Sequence, residues 1–281
     1  MLASGSGGNC SLLHALTGAM VMIDAGIAPR RVRDLIREDG FDLDTLDAVV
    51  LTHLDADHFV PTWTRALPDR TRVYLHPAHA REARRVGLAT PRIEIVSGAF
   101  EPAPGIRAGV ALADHDVLGS AAYRFELSAN ASLGYATDVG RPTRSLAAFL
   151  SGVGVLAVES NYCPGLQEAS SRPEVLKSRI MGGRGHLSNA QCARLVAHCG
   201  SPAHVVLLHL SRECNTPTLA AAPHAGRPYA LTIAAQHEPT GWITLAPGAN
   251  APSSPGSTPP RLDRRAPTLF DHLAPAQKSS A

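Results

Sequence analysis

The sequence predicts an α/β protein in which two β-sheets carry helices on their outer faces. Three observations carry that reading. Short apolar runs, partly β-branched, recur along the chain at Ala48 to Leu51, Leu133 to Ala136, Val153 to Val158 and Val205 to Leu208, the signal of buried strands. Each runs into a ligand-type or acidic residue: His53 after Thr52, Asp138 after Thr137, then Glu159 and His209. Layered α/β proteins commonly present functional groups from strand ends in this way. Stretches of helical spacing separate the strands. At 281 residues with 44% hydrophobic content, the chain can bury a full core without staples.

Taken in order, Ser4 to Asn9 is a glycine-rich turn that lacks the Lys-Ser/Thr of a phosphate-binding P-loop. It is read as a link between two strands close to the site. Val21-Met22-Ile23 is a strand ending at Asp24-Ala25-Gly26. Pro29 to Glu38 places Val32, Leu35 and Ile36 on one helical face and arginines on the other, and Gly40 closes the helix. Arg72 onward reads as a strand and Ala78 to Val86 as a helix, with His76 and His79 read as structural. Ala108 to Leu112 is a strand delivering Asp114-His115-Asp116, and Ala122 to Leu127 is the next. Helices are predicted from Glu174, after Pro173, and over Ala190 to Cys199. His186 precedes the second, where Ser188 or Asn189 can cap and free N–H groups favour an anion. Tyr229 to Ala234 and Gly241 to Leu245 complete the strands. Residues 1–245 are therefore expected to form the domain. Residues 246–281, rich in Pro, Ser and Ala, read as a disordered tail with one apolar island, Thr268-Leu269-Phe270.

Charge narrows the function. The net charge is +2, and the tail holds four Arg/Lys against two Asp, which leaves 22 basic and 22 acidic residues in the domain. A neutral domain does not grip nucleic acid by bulk charge, although a local Arg patch is compatible with it. Five cysteines without CxxC spacing, no signal peptide and no apolar run of the ~20 residues a membrane span needs give a cytoplasmic expectation with reduced thiols.

The densest chemistry lies in His53-Leu54-Asp55-Ala56-Asp57-His58. In an extended segment residues two apart face the same way, so His53 and Asp55 face one point. Asp57 and His58, past the bend, face another. Two ligands aimed at each of two points suggest a pair of metals sharing a loop.

The order of these parts resembles the metallo-β-lactamase fold, whose pattern is His-x-His-x-Asp-His after a strand, then a distant His, a bridging Asp and a last His. His53, Asp57, His58, His115, Asp138 and His209 match its ligand positions, and Asp24-Ala25-Gly26 matches its structural Asp-Gly turn. The resemblance implies a four-layer αββα sandwich. Within the superfamily, Ser4 to Cys10, Thr137 to Gly140, Glu159-Ser160-Asn161, Gly185 to Asn189 and His209-Leu210-Ser211 look like the YycJ/WalJ branch, which is associated with nuclease activity on double-stranded DNA. Two positions depart from the pattern. Asp55 stands where the family has its second His, and Tyr162-Cys163 replaces the usual His-Asp. An added carboxylate moves preference from zinc toward manganese or iron, and Asp55 is expected to bind metal; the alternative is that it does not and one site is weak. Cys163 and Cys214 lie next to the expected site, where a thiolate ligand is the lesser reading.

The resemblance implies two divalent ions (Zn, Mn or Fe) that activate a bridging hydroxide, lowering the water pKa from 15.7 toward about 7. His186 beside Glu159 resembles the Glu–His acid of RNase Z-type phosphodiesterases, in which the Glu holds the imidazole and favours its charged form. The expected activity is phosphodiester hydrolysis on nucleic acid or another phosphodiester, with His186 as acid and with Glu159 and Asp57 in the catalytic set. Asn161, Ser188, Ser211 and Asn215 are candidate phosphate contacts, each equally suited to a cap or turn. The alternative is a thioesterase or glyoxalase-type acyl hydrolase, and a third reading is a non-catalytic nucleic-acid-binding relative.

Overall fold

Side-chain alternation along the strands sorts the chain into layers. A computed structural model describes residues 1–88, 92–127 and 131–245; the predicted tail lies outside the described residues. Strands β1 (Ser11–His14), β2 (Met20–Ile23), β3 (Ala48–Leu51), β4 (Arg72–Leu75) and β5 (Ile93–Ile95) form one sheet in that order. β1 is antiparallel to β2, and the others run parallel. In the second sheet β6 (Ala99–Ala103), β7 (Ile106–Ala113), β8 (Ser120–Glu126) and β9 (Ser132–Ala136) form an antiparallel meander. β10 (Val155–Glu159), β11 (His204–Leu208) and β12 (Ala230–Ile233) then continue parallel to β9.

Alternate residues of each buried strand enter different cores. Val21, Ile23, Val50, Val155, Ala157, Val206 and Leu208 share one cluster with Tyr123, Phe125 and Tyr135, between the sheets. Their neighbours Met20, Met22, Val49 and Leu51 face outward with Val32 and Ile36 of α1 (Pro29–Glu38). Trp63 of α2 (Trp63–Ala66) and Ala83 of α3 (Ala80–Arg85) join them. On the other outer face Leu156, Val158, Val205 and Leu207 meet Leu146 of α4 (Arg144–Phe149). Two short helices, α5 (Pro164–Ala169) and α6 (Glu174–Arg179), lead to α7 (Asn189–His198). Leu195 and Val196 of α7 and Ala220 of α8 (Pro217–Ala221) complete that layer. The result is the αββα sandwich. A one-residue slip in any of these strands would exchange the inner and outer sets, and since both are apolar it is the fit of the particular side chains that opposes it.

Two expectations change. Gly241 to Leu245 is not a strand: Ile243 and Leu245 pack against the inter-sheet core, and Trp242 lies 5.2 Å from Phe41 and 6.4 Å from His14, ring to ring. Its apolar alternation is satisfied by covering the edge of the sandwich rather than by pairing. The predicted helix over Ala78 to Val86 is a 3-10 turn at Pro77–His79 followed by α3, because the His76 ring accepts the Ala78 N–H and caps that turn first.

Candidate metal centre

Strand ends supply the site. β2 runs into Asp24, β3 into Thr52 and His53, β9 into Thr137 and Asp138, β10 ends at Glu159, and β11 runs into His209. Asp24, Asp138 and His209 have φ of 60°, 54° and 54°, the left-handed region that non-glycine residues seldom occupy. All three turn sharply off a strand end to aim a side chain inward, which is strain placed at a candidate functional site. The loop after β3 is fixed from behind: a Cβ on Gly26 would lie 1.8 Å from the Asp57 carbonyl oxygen, so only glycine fits there.

Outer hydrogen bonds set the imidazoles. The buried Asp24 carboxylate accepts the Thr52 N–H (2.8 Å), the Thr52 hydroxyl (2.9 Å) and the His58 Nδ1–H (2.8 Å). With its proton spent on Asp24, the Thr52 hydroxyl oxygen accepts from His53 Nδ1 at 3.1 Å. His115 Nδ1 donates to the Gly185 carbonyl at 2.8 Å. In all three rings Nδ1 is tied down and Nε2 is left to face inward, which is how outer-shell partners orient metal-binding histidines.

The inward atoms converge on Asp138. Its Oδ2 lies 3.0 Å from His58 Nε2 and 2.9 Å from His209 Nδ1, and its Oδ1 lies 3.9 Å from His115 Nε2. Three sets of ligand-type atoms gather within 4.8 Å: His53, His115 and Asp138; Asp57, His58 and His209; and Asp138, Glu159, His186 and His209. The first two sets flank Asp138. His53 Nε2 is buried with no hydrogen-bond partner, a costly state for a polar atom unless a ligand satisfies it. Imidazole nitrogens with carboxylate oxygens suit Zn, Mn or Fe. The residues therefore fit divalent metal.

Asp55 sits at the rim, its carboxylate 3.8 Å from His53 Nε2 and half exposed, outside all three sets. Its pKa is raised, chiefly by burial and against the pull of His115. Cys163 and Cys214 are free thiols that join none of the ligand groups found among the described residues. His186 Nδ1 lies 2.7 Å from Glu159 Oε1, while Glu159 Oε2 accepts the N–H groups of Val139 (2.9 Å) and Leu187 (3.0 Å). Burial would raise Glu159, but His186 and its hydrogen bond outweigh it and hold the carboxyl below the usual range. Asp57 is likewise lowered, burial being outweighed by the His209 hydrogen bond and the His58 charge. A cavity of about 250 Å³ opens over Asp55, Asp57, His115, Asp138, His186 and His209.

The four candidate phosphate contacts are committed elsewhere. Asn161 Nδ2 donates to the His209 carbonyl (2.8 Å), and Asn215 Nδ2 donates to the Ser160 and Asn161 carbonyls. Ser188 forms a capping box with Gln191 at the start of α7, so the N–H groups expected to be free for an anion are partly spent there. Ser211 Oγ accepts from Arg172 and from the Cys214 N–H. All four are buried. They hold the site loops together and face the interior. Sequence reasoning missed Asn9, whose side chain lies 3.0 Å from His58 Nε2 and donates to the Asp57 carbonyl at 3.2 Å. It also missed Ser4, which accepts the His209 N–H at 2.8 Å. The only signal was their place in the glycine-rich turn.

The electrostatics give a pH prediction. Burial alone would lower His58, yet Asp138 and Asp24 push it up to about 10, and the same balance with Asp138 raises His209 well above its ordinary value. His53 moves the other way, through burial and then the His58 charge. Below about pH 10 a divalent ion must displace the His58 proton. Metal affinity is therefore expected to rise with pH and weaken in acid. Calorimetric titration of metal at pH 7 in buffers of different ionisation enthalpy is expected to show proton release; heat independent of buffer would contradict it.

The family described as a beta-lactamase superfamily domain matches residues 20–210. Exodeoxyribonuclease WalJ of Streptococcus pneumoniae is 25% identical over 228 residues, covering 78% of this chain and 84% of that protein. Exodeoxyribonuclease YycJ of Bacillus anthracis is 26% identical over 231 residues, with the same coverage of 78% and 84%. Among solved structures, the metallo-beta-lactamase fold protein YhfI from Bacillus subtilis superposes with a TM-score of 0.63 at 16% identity, covering 84% of this chain and 95% of that one.

Proposed function

The chain belongs to the beta-lactamase superfamily, in its YycJ/WalJ branch, and from that premise we propose that it is a dinuclear metal-dependent phosphodiesterase acting on nucleic acid. The His186–Glu159 pair carries this reading. A thioesterase or glyoxalase-type hydrolase of the same metal set expels a thiolate and has no use for a proton donor held by a buried carboxylate, whereas the alkoxide leaving group of a phosphodiester must be protonated.

His53 and His115 with Asp138 would hold one ion, and Asp57, His58 and His209 with Asp138 the other. When bound, such ions activate water and offset charge on phosphoryl oxygens. The chain's own residues do the rest. Asp57, ionised and facing the cavity, orients the attacking water opposite the leaving oxygen. Glu159 is anchored by two backbone N–H groups and fixes the His186 ring through Nδ1. His186 Nε2 then delivers a proton to the departing oxygen. The exodeoxyribonuclease names of the two relatives support nucleic acid as the substrate class.

Asp55 is proposed as a rim ligand that completes its site when the ion is present. Metal analysis of Asp55→Ala is expected to show reduced stoichiometry, and an unchanged count rules out a ligand role. The function itself is tested with a panel of bis(p-nitrophenyl) phosphate, labelled single- and double-stranded DNA and RNA, and acyl thioesters, with and without chelator. Chelator-sensitive cleavage of the phosphodiesters is expected; turnover of thioesters alone would overturn the assignment.

A further inference from the structure

The segment from Glu174 to Gly185 forms one wall of the site, and its outer part carries side chains that the chemistry does not use. Helix α6 buries none of its residues, leaving Val175 84% and Leu176 37% exposed. Its footing is firm nonetheless. Ile180 packs with Tyr162 and Cys214, and a Cβ on Gly185 would come within 2.6 Å of the Ile180 Cα. Lys177 Nζ donates to the Glu168 carbonyl (2.8 Å) and to Glu174 (2.9 Å). The same segment then supplies the Gly185 carbonyl that orients His115, and runs on into His186. The wall and the chemistry are thus one continuous piece of chain.

Leu176 and Arg179, one helical turn apart and on one face of α6, both line the cavity. Among the described residues Arg179 is the only Lys or Arg lining it, and its guanidinium makes no ion pair or hydrogen bond with them. It stands at the rim of a cavity otherwise lined by Asp, His, Ser, Gly and two aliphatic residues. At about 250 Å³ the cavity falls below the ~300–1,000 Å³ that encloses a typical small ligand. A substrate larger than the cavity extends beyond it, and α6 supplies part of the lining through Leu176 and Arg179.

We infer that Arg179 binds a backbone phosphate next to the scissile one and that Leu176 gives the adjoining base an apolar ledge, so that α6 makes the enzyme prefer a nucleic-acid strand to a small phosphodiester. A guanidinium suits this role because its fork of donors matches phosphate oxygens. The inference rests on the phosphodiesterase reading above.

Arg179→Ala and Arg179→Lys in the full chain test it, with fluorescein-labelled single-stranded DNA and RNA and with bis(p-nitrophenyl) phosphate. Arg179→Ala is expected to weaken oligonucleotide binding, read by anisotropy, roughly tenfold, the scale of one charge-assisted contact. The slope of log affinity against log salt should shrink by about 0.7, one phosphate contact on a single strand. The kcat/KM for the oligonucleotide should fall several-fold further than that for bis(p-nitrophenyl) phosphate, and Arg179→Lys should recover the salt slope. Unchanged oligonucleotide binding, or equal losses on both substrates, overturns the role of Arg179 while leaving the phosphodiesterase reading intact. A wild-type enzyme that cleaves neither substrate overturns both.

Discussion

His186→Ala is expected to lower phosphodiester turnover between about a hundredfold and ten-thousandfold, the range for losing a positioned acid, with metal content unchanged. The geometry separates the two outcomes. His186 Nδ1 is engaged by Glu159 at 2.7 Å and stands 3.5 Å from Asp138 Oδ1, so contacts within the protein hold the ring. Substrates with a good leaving group need less protonation and should lose less, so bis(p-nitrophenyl) phosphate should be affected less than an oligonucleotide. His186 also belongs to one of the three groups able to hold an ion. Loss of metal in the variant would make it a ligand and remove the proposed acid.

Asp138→Asn is expected to be the most damaging change to the centre itself. Among the described residues, Asp138 belongs to the His53/His115 group and also lies 3.0 Å from His58 Nε2 and 2.9 Å from His209 Nδ1. Losing an outer-shell partner costs 10–100-fold in metal affinity, and losing this shared donor should cost more than about a hundredfold, with hydrolysis lost in parallel. The metal-free protein should report the same change. Asp138 is the strongest opposing pull against burial at both His58 and His209, so both rings should titrate lower in Asp138→Asn. Full metal content in this variant would show that the two groups do not depend on a shared carboxylate.

Much of this centre was legible because strand ends are legible. An apolar run that stops at Asp138 or His209 marks both the burial of the strand and the direction of the side chain, and the αββα order follows from two-faced burial of the same runs. What escaped was set by contacts between residues far apart in sequence. Asn9 reaches His58 across 49 positions, and Ser4 reaches His209 across 205; no local pattern encodes such a pair. Asn161, Ser188, Ser211 and Asn215 have donors suited to phosphate, yet they lie in loops whose buried backbone carbonyls and N–H groups need partners, and the interior claimed them first. Gly241 to Leu245 shows the limit of alternation. The pattern gives an apolar face, and either a sheet or the open edge of a sandwich can cover it.

The central claim is that strand tips from both sheets build two metal pockets around Asp138. Anomalous diffraction from crystals of the protein loaded with manganese or zinc tests it most directly. Two ions per chain are predicted, one contacting His53 and His115, the other Asp57, His58 and His209, with Asp138 touching both. A single ion, or ions away from Asp138, would contradict the account.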